Sequence, residues 1–315
     1  MTVKGYIGGS KASLMNDPEV KNILRDKYHL EMQFTTLGGL EQLSPEMDLS
    51  DFIWPATELP VEQYKHDHGG KVNYASLLLS PIVMYSWEPV TGELNKDGFI
   101  DKRADGVYYA GMEKFVPALI DHKLMPPPGQ SSAHHLAVYT SDPAKSNSGQ
   151  LFAAMLTEIL NKTRGKTFDE AAASVKIYFD ELGYMPPKTA DLFTECLGKG
   201  MGACPVFVSY ESLLPDYARD HNVECQSLTS LKAIYPVPTM WATHPMIANT
   251  PGGAQLLKAM QDADIQKLAV EKHGFRGILG KTQPNNCILT AAAVDAMPLP
   301  SVDEMDRLAK QLEKH

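Results

Sequence analysis

The sequence has no apolar run near the length that crosses a bilayer, about 18 residues, and its first residues have no apolar core of signal-peptide length. It is also poor in positive charge, with 29 Lys and Arg against 38 Asp and Glu and a net charge of −9. This acidic balance argues against a nucleic-acid partner or an anionic membrane surface. It does not exclude a small anionic ligand, because local dipoles can hold one.

Only four cysteines occur, Cys196, Cys204, Cys225 and Cys287. None of them forms a CxxC pair or a Cys/His cluster with zinc-finger spacing, so the sequence predicts no structural zinc. An exported chain would oxidise them to disulfides, whereas a cytosolic chain would keep them as thiols. The sequence leaves both states open.

Motifs for common catalytic machinery are also missing. No GxSxG, SxxK, HExxH or GxxxxGK[ST] pattern occurs, and Gly8-Gly9-Ser10 lacks the second glycine and the lysine of a phosphate-binding loop. Two histidine groups, His66/His68 and His134/His135, are interpreted as a solvated turn and as strand neighbours that face opposite ways. We therefore predict no catalytic residue, no cofactor and no metal ligand.

What the sequence does contain is a repeated order of strand, polar loop and helix. Strands are predicted at Val3–Ile7, Met32–Thr36 and Asp51–Trp54, and helices follow the first and third. This order is typical of an α/β fold with a parallel sheet between helices, and such sheets bind ligands at the carboxyl ends of their strands. Further along, Val107–His122 is predicted to be helical.

The stretch from 141 to 161, SDPAKSNSGQLFAAMLTEILN, combines a polar loop with an amphipathic helix. Ser146, Asn147, Ser148 and Gly149 lie where that helix begins, and the first N–H groups of a helix have no intrahelical acceptor. Such an end can hold an anion. Simple N-capping by Ser or Asn explains the same residues and is the alternative.

At 315 residues the chain is long for one core, so two domains are expected. Proline-marked segments near Pro81–Trp87 and Pro238–Pro245 are interpreted as two strands that cross between the domains. Domain one would comprise residues 1–83 and 245–315, and domain two the inserted residues 84–244. Two doubly wound domains joined in this way would bind a ligand in the cleft between them and close about the crossing strands as a hinge.

Six pieces of the sequence, in this order and spacing, support a family resemblance: GGSKAS at 8–13, DFIWPAT at 51–57, TSDPAKSNSG at 140–149, VFVSYESLL at 206–214, YPVPTMWATHPMIANT at 235–250 and DIQKLAVEKHGFR at 264–276. Over nearly its whole length the chain resembles the type II periplasmic substrate-binding proteins of ABC transporters, near the molybdate, tungstate and sulfate binders. The resemblance implies a monomeric extracytoplasmic receptor that delivers a small polar or anionic ligand to a permease and catalyses no reaction. A periplasmic or extracellular location is expected, with a leader already removed.

The resemblance also implies which residues contact the ligand. Hydroxyl donors would come from Ser10, Thr57, Ser148 with its neighbour Asn147, and Tyr210. Trp54 and Trp241 would form walls, and these large aromatic residues point toward a ligand larger than a tetrahedral oxyanion.

Other interpretations stay open at this point. Lys11 and Lys145 lie beside the candidate loops and are expected to be exposed and solvated. An enzyme on the same scaffold, similar to porphobilinogen deaminase or thiaminase, would need a reactive Cys196 or Cys204 or a carboxylate. A ferric-ion binder would use tyrosines from the set Tyr85, Tyr108, Tyr109, Tyr139 and Tyr210.

Overall fold

The structure is a computed structural model, and it describes residues 1–38, 42, 49–124, 135–278 and 287–313. The described strands are β1 Thr2–Ile7, β2 Glu31–Thr36, β3 Phe52–Trp54, β4 Tyr74–Ser76, β5 Ser80–Trp87, β6 Asp101–Lys102, β7 Tyr108–Gly111, β8 Val138–Tyr139, β9 Val206–Tyr210, β10 Leu231–Val237, β11 Trp241–Ala242 and β12 Pro245–Ala248. The described helices are α1 Ala12–Asn16, α2 Pro18–Tyr28, α3 Leu59–Asp67, α4 Glu88–Lys96, α5 Met112–Ile120, α6 Asn147–Arg164, α7 Phe168–Glu181, α8 Thr189–Lys199, α9 Leu213–Asp220, α10 Pro251–Ala259, α11 Ala263–Glu271 and α12 Val302–Leu312. The predicted α/β fold class is confirmed.

The chain forms two compact units. Unit 1 comprises residues 1–80, 211–220 and 241–285, and unit 2 comprises residues 81–210, 221–240 and 286–315. These ranges differ from the division expected from the sequence, because α9 belongs to unit 1 and α12 belongs to unit 2. The final helix α12 joins unit 2 because it packs against α7 and α6.

Unit 1 is built on a five-stranded sheet in the order β2-β1-β3-β12-β4. β2, β1 and β3 are parallel, whereas β12 and β4 are added antiparallel. The core cluster includes Phe52 and Trp54 of β3, Leu14 of α1 and Phe275, which are all fully buried. The parallel part of the sheet brings the carboxyl ends of β1 and β3 to the same edge.

Unit 2 is built on a mixed sheet that runs β6-β7-β10-β5-β9-β8. β8 and β9 are parallel, and so are β7 and β10, while β5 pairs antiparallel with both β9 and β10. Helix α6 packs against β9, α7, α5 and α12. Its residues 147 to 157 are all buried, which explains why its apolar side chains extend over more than one face.

The predicted helix from Val107 to His122 is wrong in its first part. Residues Tyr108–Gly111 form β7, and the helix α5 begins only at Met112. β7 pairs with β10 in parallel register, with Ile234 beside Tyr108 and Tyr235 beside Tyr109. Pairing with a distant strand therefore overrides the local helical pattern, and aromatic residues favour a strand.

All four cysteines form disulfides, Cys196–Cys204 and Cys225–Cys287. Both bridges lie within unit 2. Among the described residues, no helix has the length and apolar character that a bilayer crossing requires.

Candidate functional site

In unit 1 the candidate residues follow the carboxyl ends of two neighbouring strands. β1 ends at Ile7 and leads into a 3₁₀ turn at Gly9–Lys11, while β3 ends at Trp54 and leads toward Thr57. The two ends are connected directly, because the Gly8 N–H donates a 3.1 Å hydrogen bond to the Trp54 carbonyl. Parallel strands of open α/β sheets place ligands at this edge.

Lys11 is the most unusual residue at this edge. Its side chain is 0% exposed, so the expectation that it is solvated is wrong. Within the described part of the chain no carboxylate lies within ion-pair distance of its Nζ atom. Burial removes water from the ammonium group and lowers the pKa of Lys11 to about 7.

The partner that Lys11 does have is His244, whose Nδ1 atom lies 3.3 Å from Lys11 Nζ. In its ammonium form Lys11 can only donate, so in that form Nδ1 accepts and the ring proton is on Nε2. Burial, followed by the nearby Lys11 charge, lowers the pKa of His244 well below its usual value, so the ring is neutral. His244 has a positive φ of 42°, its N–H donates to the Ala56 carbonyl at 3.0 Å, and its ring packs edge-on against Phe275.

The hydroxyl and indole residues predicted for unit 1 lie at the same edge. Thr57 is 2% exposed, and its Oγ1 atom has no hydrogen-bond partner among the described residues. Ser10 is also buried, in the turn that carries Lys11. Trp54 is fully buried in the core of unit 1, with its Nε1–H donating 2.8 Å to the His244 carbonyl. The indole thereby holds the segment that presents His244 to Lys11.

Trp241 is half-buried and lies beside a different cation. The Arg276 guanidinium is 5.4 Å from its ring centroid, and that guanidinium also binds Glu211 through two hydrogen bonds of 2.9 Å and 2.7 Å. Glu211 is 1% exposed. Here the buried charge of Glu211 is paired within the protein, whereas no described carboxylate pairs with Lys11.

In unit 2 four hydroxyl groups surround the start of α6. Ser148 Oγ lies 2.9 Å from Ser141 Oγ, 3.2 Å from Ser146 Oγ and 2.6 Å from Thr189 Oγ1. Ser146 Oγ lies 2.8 Å from Ser141 Oγ and 3.0 Å from Thr189 Oγ1. We call these four residues the hydroxyl cluster. Each hydroxyl has one proton and two lone pairs, so the cluster can rotate its protons toward an acceptor.

The N-capping alternative is wrong for this helix. Ser146 occupies the N-cap position of α6, but its side chain makes no capping hydrogen bond. Two buried amide atoms nearby, Asn147 Oδ1 and Gln150 Nε2, have no partner among the described residues. Since unpaired buried polar atoms are costly, this end of the helix has hydrogen-bonding capacity that its capping does not use.

The last two candidates in unit 2 are Gly149, at the start of α6, and Tyr210, at the end of β9. A Cβ atom on Gly149 would lie 2.1 Å from the Ser141 carbonyl oxygen, so this glycine lets the helix start approach the loop after β8. Tyr210 is the last residue of β9 and is 2% exposed. Burial raises the pKa of Tyr210, which keeps its phenol protonated. The ligand-binding roles of both residues stay predictions.

The remaining candidates from the sequence are Lys145, the histidines considered as metal ligands, and the tyrosine set. Lys145 is exposed as expected, at 59% of its side chain, and so is His66, at 84%. No group of three or more His, Cys, Asp or Glu in the described ranges is arranged to hold a metal ion, and His134 lies outside those ranges. Tyr109 donates 2.7 Å to Asp105, which gives this member of the tyrosine set a structural role.

Sequence reasoning proposed Ser10, Thr57 and the start of α6, whose ligand roles stay predictions. It missed the pairing of Lys11 with His244 and the hydrogen bonds of Thr189. Lys11 and His244 are 233 residues apart, and Ser148 and Thr189 are 41 apart. No local pattern connects such positions. The one available signal was that Lys11 directly follows Ser10 in the loop after β1.

No protein-family model and no curated protein matches this sequence. Solved structures match it over most of its length. Iron-bound HitA from Pseudomonas aeruginosa matches with a TM-score of 0.66 and 11% identity, covering 99% of this chain and 97% of that one. The periplasmic binding protein AfuA from Actinobacillus pleuropneumoniae, bound to fructose-6-phosphate, matches with a TM-score of 0.64 and 13% identity, covering 98% and 96%. The sulfate-binding protein SubI from Mycobacterium tuberculosis matches with a TM-score of 0.54 and 13% identity, covering 88% and 87%.

These likenesses establish the fold, which is that of the two-domain periplasmic binding proteins. The matching structures include an iron-bound protein, a protein bound to fructose-6-phosphate and a sulfate-binding protein, so they do not select the molybdate, tungstate and sulfate group.

Proposed function

We propose that this chain is an extracytoplasmic receptor that binds a small polar or anionic solute, closes around it by a hinge motion and delivers it to an ABC permease. The observation that carries the proposal is the hydroxyl cluster at the start of α6, in a chain with the fold of periplasmic binding proteins. Hydroxyl groups and the N–H groups of a helix start can hold an anion or a polar head group without a charged side chain.

The cysteines support an extracytoplasmic location. Both disulfides join cysteines within unit 2, and disulfides persist in oxidising compartments such as the periplasm or the cell exterior. The same pairing removes the thiols that a cysteine-based enzyme on this scaffold would require. Binding without catalysis, as a monomer, is therefore the function that we propose.

A finer proposal concerns the ligand class. The four hydroxyls of the cluster, and Thr57 Oγ1, which has no partner among the described residues, are donors of the kind that bind oxyanions. A molybdate, tungstate or sulfate ligand fits these donors, and so does the phosphate group of a larger solute.

A thermal-shift screen tests the receptor function. The panel contains sulfate, inorganic phosphate, molybdate, tungstate and fructose 6-phosphate as anions, with glucose and glycine as solutes of no net charge. A true ligand at about 100 times its dissociation constant adds about 2.7 kcal/mol, which raises the melting temperature of a chain of this size by about 5 °C.

The Ser148→Ala variant should lose most of that rise, because it removes the central hydroxyl of the cluster. Ser174→Ala is the matched control, since Ser174 lies in α7 and its hydroxyl donates to the Glu170 carbonyl. If sulfate, phosphate, molybdate, tungstate and fructose 6-phosphate all leave the melting temperature unchanged, the oxyanion proposal is wrong.

A further inference from the structure

The ammonium group of Lys11 is buried, and no residue that the structure describes supplies a counter-ion. Transfer of such a charge out of water costs several kcal/mol unless an opposite charge or several hydrogen bonds compensate. In the described residues Lys11 Nζ has one hydrogen-bond partner, the neutral His244 ring. The half-buried Arg276, by contrast, is paired with the carboxylate of Glu211. Among the described residues, therefore, no acidic group compensates a positive charge at Lys11.

The groups that face Lys11 come from several elements and are neutral. The segment before β12 contributes His244, the one titratable group of the described residues that faces Lys11. β3 contributes the Trp54 ring, whose centroid is 5.8 Å from Nζ. Gly8 also lies close to Lys11, because a Cβ atom added to this glycine would lie 2.9 Å from Lys11 Nζ. The same added atom would lie 3.9 Å from the amide nitrogen of Gln42.

Further polar atoms near this edge are also unpaired. Thr57 Oγ1 and Gln42 Oε1 are buried without partners among the described residues. The loop that carries Thr57 is tied to Lys11 through His244, which bonds to the Ala56 carbonyl and to Lys11 Nζ. A cation and an unpaired hydroxyl donor at one edge of the sheet are a complementary pair for an acidic group.

We propose that Lys11 forms an ion pair with an acidic group of the ligand, a carboxylate, sulfate or phosphate, and that the receptor takes up one proton when this ligand binds above neutral pH. The proton comes from the solvent and converts the Lys11 amine to the ammonium ion. This inference rests on the receptor function proposed above and names the charge of its ligand.

The direction of the pH dependence follows from linkage. Without ligand, burial holds the pKa of Lys11 at about 7, so the amine is mostly neutral above that pH. An anion beside it favours the ammonium form and raises the pKa again. Affinity should therefore fall about tenfold for each pH unit above about 7, until the pKa of the complex is reached.

Isothermal titration calorimetry of the whole chain tests the inference. The probes are sulfate and fructose 6-phosphate, which carry their full charge at about pH 8.5, with glucose as the neutral solute. Titrations in two buffers of different ionisation enthalpy give the number of protons taken up. For sulfate we expect close to one proton at about pH 8.5 and close to none at about pH 6. For fructose 6-phosphate the count is compared at about pH 8.5 only, because a phosphate monoester itself titrates at about pH 6.

The variants separate a ligand contact from a structural role. Lys11→Met keeps the length of the side chain and should reduce anion affinity at least tenfold and abolish proton uptake. Thr57→Val should weaken binding of the same anion and leave proton uptake in place. This second variant keeps the inference testable if the Lys11→Met chain fails to fold. Lys96→Met, at a lysine that is 73% exposed in α4, is the control and should behave as the wild type.

The outcomes distinguish this inference from the proposed function. If glucose binds and neither anion does, the receptor function stands for a polar solute, whereas the anion as ligand and the Lys11 inference are both wrong. Anion binding without a dependence on buffer or on Lys11 also overturns it. If no solute of either kind binds, the receptor function fails, and the inference fails with it.

Discussion

Burial changes what the Lys11 side chain does at neutral pH. In water a lysine is charged far above pH 7, whereas in this protein the pKa of Lys11 is lowered to about 7. The sequence showed a lysine in a polar loop, and the base rate for lysine favours exposure. Its burial depends on His244, Trp54 and Gln42, which lie far from it along the chain, so composition and spacing could not predict it.

The same burial predicts the effect of Lys11→Met on stability. The unfolded chain holds the lysine proton up to about pH 10.4, whereas the folded chain releases it at about pH 7. Since the unfolded state binds more protons between these values, wild-type stability rises with pH in that window. Without ligand, Lys11→Met should therefore raise the melting temperature, most at or below neutral pH and less as pH approaches about 10.

Differential scanning calorimetry at about pH 6.5, 8 and 9.5 measures this difference, with Lys96→Met as the exposed control. Replacement of a buried ion pair by apolar residues stabilises by up to about 1–4 kcal/mol, and we expect a gain of that order for Lys11→Met. A large loss of stability in Lys11→Met at every pH would show that the lysine is compensated within the fold.

The start of α6 shows what an element's sequence can and cannot predict. Its amphipathic pattern predicted the helix, and the Ser-Asn-Ser run predicted a polar start. The pattern could not show that Ser146 bonds to Ser141, Ser148 and Thr189 and makes no capping bond. Thr189 is the first residue of α8, and only the packing of two helices brings it to the cluster.

Gly149 should be needed for this arrangement. In Gly149→Ala the new methyl group would meet the Ser141 carbonyl oxygen at 2.1 Å, so the helix start or the loop must shift. Overpacking of this kind costs about 1–3 kcal/mol, and it should also weaken ligand binding by displacing Ser148.

The matched variant is Gly198→Ala in α8, because a Cβ atom there meets nothing within 4 Å. That change should be neutral or stabilise by about 0.5–1 kcal/mol, since alanine favours a helix more than glycine does. Urea unfolding measures both variants, and equal effects of the two would contradict the steric argument.

At the scale of the whole molecule, the alternation of strand, loop and helix was sufficient to predict the fold class. The assignment of segments to units was less predictable. The C-terminal helix α12 has its own capping box at Ser301 and Glu304 and would form a helix in either unit. Its place in unit 2 follows from contacts with α7 and α6, which are tertiary and leave no mark on the local sequence.

The two disulfides should differ in their contribution to stability. Cys225 and Cys287 are 62 residues apart, whereas Cys196 and Cys204 are 8 apart. In the chain-entropy account a longer closed loop restricts the unfolded chain more, which predicts about 4 kcal/mol for the first bridge and less than about 3 kcal/mol for the second. Melting temperatures of the two double Cys→Ala variants test this order, and a greater loss from the shorter loop would contradict it.

The central claim is that the chain binds a small anion and does not transform it. Isothermal titration calorimetry of the wild-type chain at neutral pH tests this claim most directly, with sulfate, molybdate, fructose 6-phosphate and glucose as separate titrants. The account predicts that at least one anion binds with one site per chain, that glucose does not bind, and that the bound anion is recovered unchanged. Binding of glucose alone, or recovery of a chemically altered anion, would contradict it.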